Sequence, residues 1–395
     1  MYFAILYGMV GVLCLISRNG KRERSRFCAC FLIFCGMQAL IGLRHIQYGG
    51  PDTQVYARDF VRIVEQHYSL VDIFRNFFKD FGFYLFAWSF SLFSHNVNTF
   101  LFVCALPFTG GVTWLIYKYS RNIFLSFIMF LSFGFYLYNF QLVRHVFSLG
   151  IVILAYKYLE EGQDRKFFIT VAVATFCHTL AILFFGAYLI KKGRITFKQV
   201  MWMFFGCVTV LILSQRTVLT LVFRVVPFLS SGRFAQFATR GGGMDSQAII
   251  QLLFVLVSWV FLYGQGSRSL EYSSLQDEML LSGCPESFSG KRLRNRLYII
   301  AKQNVNLQFN MAVIATMFYL LTIAVGESYR MAQFFSLFTI LLVPNALCRA
   351  PKVIRVMIEL FIVLFGIKHF FGGLFVDGSV YNPYVFFWQQ EQSLY

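Results

Sequence analysis

Residues 98–117 read Asn-Thr-Phe-Leu-Phe-Val-Cys-Ala-Leu-Pro-Phe-Thr-Gly-Gly-Val-Thr-Trp-Leu-Ile-Tyr, with no charged side chain among them. A run of that length is what an α-helix needs, at 1.5 Å per residue, to cross a hydrocarbon core of about 30 Å. Comparable apolar runs lie near 2–16, 27–43, 122–140, 143–159, 197–214, 247–265, 305–325, 330–348 and 353–372. They are continuous, unlike the alternating ten-residue segments of a transmembrane β-barrel. Composition points the same way. The 395 residues are 58% hydrophobic and only 13% charged, with a mean hydropathy of +0.63, where a soluble domain carries roughly 25% charged residues. A soluble globular enzyme is therefore excluded, and 50 Phe with 21 Tyr exclude a disordered chain. The expected fold is all-α, a polytopic transmembrane helix bundle of about 10–13 membrane segments, some short or re-entrant, forming one integral membrane domain over 1–395.

Two segments resist a simple crossing. The apolar stretch 81–94 reaches only about 21 Å as a helix. The stretch 167–190 is long enough to cross but carries His178 near its middle. Charge bookkeeping bears on both. Tyr2–Ile16 has no charge ahead of it, and the basic cluster Arg18, Lys21, Arg22, Arg24 and Arg26 follows, so the pattern is not that of a cleaved signal peptide. It predicts the N-terminus outside and this loop inside. The net charge of +17 is read the same way, as basic cytoplasmic loops and not as a nucleic-acid surface. Those loops are 118–121, 157–166, 191–198, 268–302 and 349–355. If all are cytoplasmic, 167–190 enters and leaves on one side as a broken pair of short helices with its apex near Cys177-His178-Thr179, and 81–94 dips in without crossing. The alternative is that both cross once and one loop departs from the rule.

On the broken-helix reading, one outer face gathers an external loop with short helices at 44–80, a basic external loop at 215–246, and the turns 141–144 and 327–330. The 215–246 loop sets Arg216, Arg224, Arg233 and Arg240 against Asp245. Anchoring to anionic lipid headgroups would also account for it. The stretch 266–304 reads as a cytoplasmic polar linker. The cysteines sit mostly inside apolar runs, and Cys28 and Cys30 have no second pair to complete a zinc site, so they read as small membrane residues.

Ionisable residues at membrane boundaries are costly, and each therefore suggests a function. Four clusters stand out. Arg44-His45 precede Gly49-Gly50-Pro51-Asp52-Thr53, with Tyr56 beyond; a tight turn followed by Asp52 is also the pattern of a helix cap. Arg144-His145 open an apolar helix, where snorkelling is the ordinary explanation. His178 stands alone in an apolar setting and could be purely structural. Glu327 and Arg330, spaced to pair with one another, bracket Tyr329 and lead to Gln333. Acidic residues are few and not clustered at ligand spacing, so no metal site and no cofactor are expected.

Together these clusters resemble the EpsG/Wzy-like family of bacterial polysaccharide polymerases (O-antigen, capsule or exopolysaccharide). The resemblance runs from about residue 40 to 350. It rests on Arg44, Gly50-Pro51-Asp52-Thr53 and Tyr56; on Arg144 before a helix; on Phe176/His178 with Thr179-Leu180-Ala181; and on Arg330, Phe334-Phe335 and Pro344. The chain departs from the pattern at His145, where Gln is usual, and at Ser148. The acidic residue often found before the third apolar segment has only Asp80 as a candidate.

The resemblance implies a membrane glycosyltransferase similar to the GT-C type, in the bacterial inner membrane with its active site facing the periplasm. Its substrates would be undecaprenyl-pyrophosphate-linked oligosaccharide repeat units held in the lipid bilayer, and a separate protein often governs chain length in such systems. It assigns Arg144 and Arg330, with Arg44 as a further candidate, to the pyrophosphate, and Asp52, ahead of His178, to general-base work. Tyr56, His145, Arg233, Arg240, Tyr329 and Gln333 go to the rest of the substrate. Three rivals stay open: a flippase for lipid-linked oligosaccharides, a membrane glycosyltransferase adding one sugar from a lipid-phosphate donor, and a non-catalytic assembly partner.

Overall fold

The computed structural model describes residues 1–19, 23–191, 193, 195–213, 246–263, 305–323, 325–375 and 384–389. The basic loop expected at 215–246, up to residue 245, and the linker expected at 266–304 lie outside the described residues. So do Arg233 and Arg240.

Apart from turns and one isolated bridge, the described residues are helical. The helices are α1 (Tyr2–Asn19), α2 (Glu23–Gly42), α3 (Gly50–Glu65), α4 (Leu70–Asn76), α5 (Phe81–Ser91), α6 (Val97–Tyr119), α7 (Ile123–Ser132), α8 (Phe135–Gln141), α9 (Val143–Glu160), α10 (Asp164–Cys177), α11 (Gly186–Leu189), α12 (Phe197–Leu213), α13 (Ser246–Tyr263), α14 (Val305–Leu321), α15 (Ser328–Ser336), α16 (Thr339–Leu347) and α17 (Lys352–Leu374). Each of the ten long apolar runs coincides with a helix or with a bent pair. By length and hydropathy, α2, α6 and α13 each suffice to cross a membrane, and the pairs α7–α8 and α15–α16, each bent by 44°, raise the number to five. The protein is an all-α helical membrane protein.

Local chemistry explains the breaks. The side chains of Asn96 and Asn122 accept from the backbone N–H of Thr99 and Leu125 and start α6 and α7. Gly134, at φ 85°, supplies the left-handed residue that turns α7 into α8. Ser69 and Asp72 form a reciprocal capping box at the head of α4.

Contacts divide the chain into two compact units. One is built from Met1–Ile182 with Cys348–Tyr395, the other from Leu183–Gly266 with Asn304–Leu347. In the first unit α6 and α9 run so close that a Cβ on Gly150 would stand 2.5 Å from the Pro107 carbonyl carbon. Glycine at 150 is what admits that approach, as small residues do between membrane helices. Polar ties cross the apolar interior, where an unsatisfied group is expensive. Gln38 donates to the Phe102 carbonyl at 2.7 Å and accepts from Thr109 at 2.6 Å.

One end of this unit collects basic loops. Arg26 donates to the carbonyls of Tyr117 (3.2 Å) and Ser120 (2.7 Å) at the C-terminus of α6. Lys118 pairs with Glu161 at 3.2 Å, and Asn122 donates to Glu359 at 3.0 Å. At the far end of α2, Tyr384–Gln389 returns to the chain. His45 N–H donates to the Val385 carbonyl and Phe387 N–H to that of Leu43, forming an antiparallel bridge at Arg44 and Phe386. In the second unit Asn310 is buried and accepts from Ile195 N–H while donating to the carbonyls of Ile190 and Gly193, all within 2.9 Å.

Candidate active site

Three chain breaks meet at the end of the first unit opposite the basic loops. The first is the 3-10 turn Phe78–Asp80 that leads into α5. The second is the start of α9, whose first turn holds Arg144 and His145. The third is His178, where the backbone swings to φ −154° and ψ 116° and ends α10; a 3-10 segment, Thr179–Phe185, follows. The break expected in 167–190 thus falls at its predicted apex.

Close packing of α5 on α10 makes the meeting possible. A Cβ on Gly82 would lie 2.9 Å from the Phe176 carbonyl carbon and 3.0 Å from the Cys177 nitrogen. Ser148 of α9 donates to the Ala174 carbonyl at 2.9 Å, and the His178 N–H reaches that same carbonyl at 2.9 Å. The last turn of α10 is thereby tied to α9.

Arg144 Nη1 donates to Asp80 Oδ2 at 2.6 Å, a short charge-assisted bond. Asp80 is buried, with a side chain 5% exposed, whereas that of Arg144 keeps 20%. Thr179 Oγ1 donates to the other Asp80 oxygen at 3.3 Å. The Arg144 guanidinium sits over the ring of Tyr56, 5.3 Å from its centre, and Tyr56 meets Phe83 edge to face. The buried rings of His145 and His178 stand perpendicular with centres 5.1 Å apart. A cation in the first turn of a helix opposes the helix dipole, so Arg144 breaks a local rule. The Asp80 carboxylate offsets that cost, and the same dipole adds to the pull of Arg144 on an anion.

The remaining sequence candidates lie as follows. Asp52 sits in the first turn of α3, but the cap position belongs to Gly49 and no side chain caps the helix. The capping role read for Asp52 is corrected accordingly: Gly50-Pro51 already occupy the first helical positions, so Asp52 falls inside the turn. Asp52, Tyr56 and Asp59 follow one another at helical spacing on one face of α3, and Asp59 accepts from the Tyr84 hydroxyl at 2.7 Å. Arg44 is buried and turned inward. It donates to the carbonyls of Ile41 (2.8 Å) and Phe140 (3.0 Å) and to the Thr53 hydroxyl (3.1 Å), clipping the head of α3 to α8. In the second unit Arg330 pairs with Glu327 at 3.0 Å and donates to the Tyr329 hydroxyl at 3.0 Å. One turn on, Gln333 is fully buried, and among the described residues neither its amide oxygen nor its nitrogen has a hydrogen-bond partner. No group of three or more His, Cys, Asp or Glu among the described residues is placed to hold a metal ion.

Asp80 and Thr179 were named in the sequence without being given a role in the site. Asp80 was visible only as the last acid before an apolar segment, and Thr179 as the neighbour of His178.

An arginine, a buried aspartate and two histidines thus stand at neighbouring helix ends of a helical membrane protein. The EpsG family matches residues 27–386, and the chain belongs to it. Its class is thus a polysaccharide-polymerase-like, glycosyltransferase-like membrane protein. No curated protein and no solved structure matches the chain.

Proposed function

We propose that the protein is a polysaccharide polymerase of the bacterial inner membrane, working on its periplasmic side. It transfers the growing glycan from undecaprenyl pyrophosphate to the terminal sugar of an incoming lipid-linked repeat unit. The bond between the donor's anomeric carbon and its phosphate oxygen breaks as a new bond forms to the acceptor hydroxyl oxygen. The hydroxyl proton passes to a base, and lipid pyrophosphate leaves. Negative charge grows on that leaving group, so the reaction gains most from a fixed cation there. The observation that carries the reading is Arg144, set in the first turn of α9 over Tyr56 and beside the two histidines.

In this scheme Arg144 holds the pyrophosphate, with the α9 dipole in support. His178 is the base favoured by position, since its neighbour Thr179 already touches the Asp80–Arg144 pair; Asp52, one turn from Tyr56, is the other candidate. Tyr56 and His145 border the sugar. Arg330, with Tyr329 and Gln333 near it, binds lipid-linked substrate, and Arg233 and Arg240 draw anionic substrate in. Arg44 supports the site through α3 and α8.

The test uses purified protein in lipid nanodiscs supplied with its host's lipid-pyrophosphate-linked repeat unit, with products resolved by size. A ladder from the wild type that is lost in Arg144→Gln supports the proposal. Single-sugar products, substrate crossing the bilayer without a ladder, or an undiminished ladder from Arg144→Gln each overturn it.

A further inference from the structure

Arg144 poses a problem that its pairing solves. A cationic side chain in a membrane protein finds phosphate readily, because bilayer phospholipid presents it at every headgroup. A pyrophosphate site open to bulk lipid would be filled by it. Yet of the five N–H donors of this guanidinium, only one is engaged in a hydrogen bond among the described residues, the one directed at Asp80. The Nε–H is buried with no partner, and the side chain is 20% exposed. Asp80 is held independently of Arg144: its N–H donates to the Phe77 carbonyl and its second oxygen accepts from Thr179.

We propose that Asp80 is a specificity-determining residue that keeps bulk phospholipid off Arg144 and admits a diphosphate. The inference rests on the functional reading above and deepens it. To take both forks of Arg144, an anion must displace Asp80 and leave a buried carboxylate without its cation, which is costly. A phosphodiester headgroup brings one phosphoryl group and gains one bidentate contact in return. A diphosphate brings a second phosphoryl group, which reaches further donors at the same helix end, such as the first-turn N–H groups of α9. Only the second ligand offsets the cost. Asp80 therefore lowers affinity for every anion and selects by setting a threshold, a form of discrimination against the wrong partner.

The probe is inorganic pyrophosphate, titrated calorimetrically into the full-length protein in nanodiscs of phosphatidylcholine alone or with about a third phosphatidylglycerol. Wild type, Asp80→Asn, Thr179→Ala and Arg144→Gln are compared. The anionic surface repels pyrophosphate from all of them alike, so the ratio of variant to wild type is the quantity read. In phosphatidylcholine, Asp80→Asn should bind pyrophosphate about tenfold tighter than wild type, equivalent to ~1.4 kcal/mol. In phosphatidylglycerol that advantage should vanish, because its phosphodiester, not neutralised by a choline cation as in phosphatidylcholine, now competes for Arg144. Thr179→Ala, which loosens only one hold on Asp80, should fall between. An Asp80→Asn advantage that is equal in both lipids overturns the inference while Arg144-dependent binding leaves the functional reading standing. Absence of Arg144-dependent pyrophosphate binding in the wild type overturns both. If Asp80→Asn does not yield a monodisperse protein, Thr179→Ala decides, and its matching wild type in both lipids overturns the inference.

Discussion

Gly82→Ala is the substitution that most directly probes how the site is assembled. The added methyl carbon would stand 2.9 Å from the Phe176 carbonyl carbon and 3.0 Å from the Cys177 nitrogen and Phe176 oxygen. These are backbone atoms with no rotamer to yield. Ordinary carbon contacts begin near 3.5 Å, so α5 and α10 must part by about half an ångström or more. Overpacking of this kind costs about 1–3 kcal/mol. Alanine's higher helix propensity returns at most about 1 kcal/mol. Net destabilisation is therefore small, about 0–2 kcal/mol. The geometric effect is larger. Asp80 lies two residues before Gly82 and Thr179 two residues after Cys177, and their hydrogen bond already spans 3.3 Å; half an ångström more breaks it. Misplacement on that scale lowers turnover about tenfold or more. The assay pairs thermal unfolding in detergent with the polymerisation ladder, using Gly8→Ala as control, since nothing lies within 4 Å of a Cβ there. A Gly82→Ala protein that keeps full turnover and unfolds no earlier than Gly8→Ala would refute the reasoning.

Four further outcomes are expected. Arg144→Ala should destabilise the fold by about 3 kcal/mol by stranding Asp80; the double variant with Asp80→Ala should regain most of that in thermal unfolding but none of the activity. Gln333→Met should raise stability by about 1–3 kcal/mol, because it removes a buried amide whose two polar atoms make no hydrogen bond among the described residues, and it should lower turnover because the amide serves substrate. Asn310→Ala should cost about 3 kcal/mol in the same unfolding assay, since it leaves two carbonyls and one N–H without a partner. At the head of α4, the side-chain and backbone hydrogen bonds from Ser69, with a smaller contribution from Arg75, hold the exposed Asp72 carboxyl below the usual carboxylate range. The depressed value means the cap is fully present above the ordinary carboxylate range and is lost as pH falls through the lowered value; amide exchange over residues 70–76 should quicken only at strongly acidic pH, and Ser69→Ala, which keeps only the backbone bond to Asp72, should weaken that dependence.

The helices were legible because apolar length is a property of contiguous sequence. The break at His178 was legible too, since a run of 24 residues with a polar residue near its middle had to be accounted for. Asp80 was not. Its significance depends on Arg144, 64 positions away in sequence, and on Gly82 letting α5 lie against α10; none of that has a local signature. Arg44 shows the converse. Its charge next to a glycine-rich turn reads as substrate chemistry; in the fold it donates to the Ile41 carbonyl three residues back and to the Phe140 carbonyl, which only the packing of α8 near α3 delivers. Local reading finds a costly residue but not what offsets the cost.

The return of Tyr384–Gln389 to Leu43–His45 has a consequence in time. The Tyr384 hydroxyl donates to the Leu40 carbonyl across 344 positions. A ribosome adding about 5–20 residues per second would make the first of these partners roughly 20–70 s before the last. For that interval the backbone beside Arg44 has no strand to pair with, so the segment leading into α3 is finished late. Pairing at this end of the molecule therefore waits until residues 384–389 have been made.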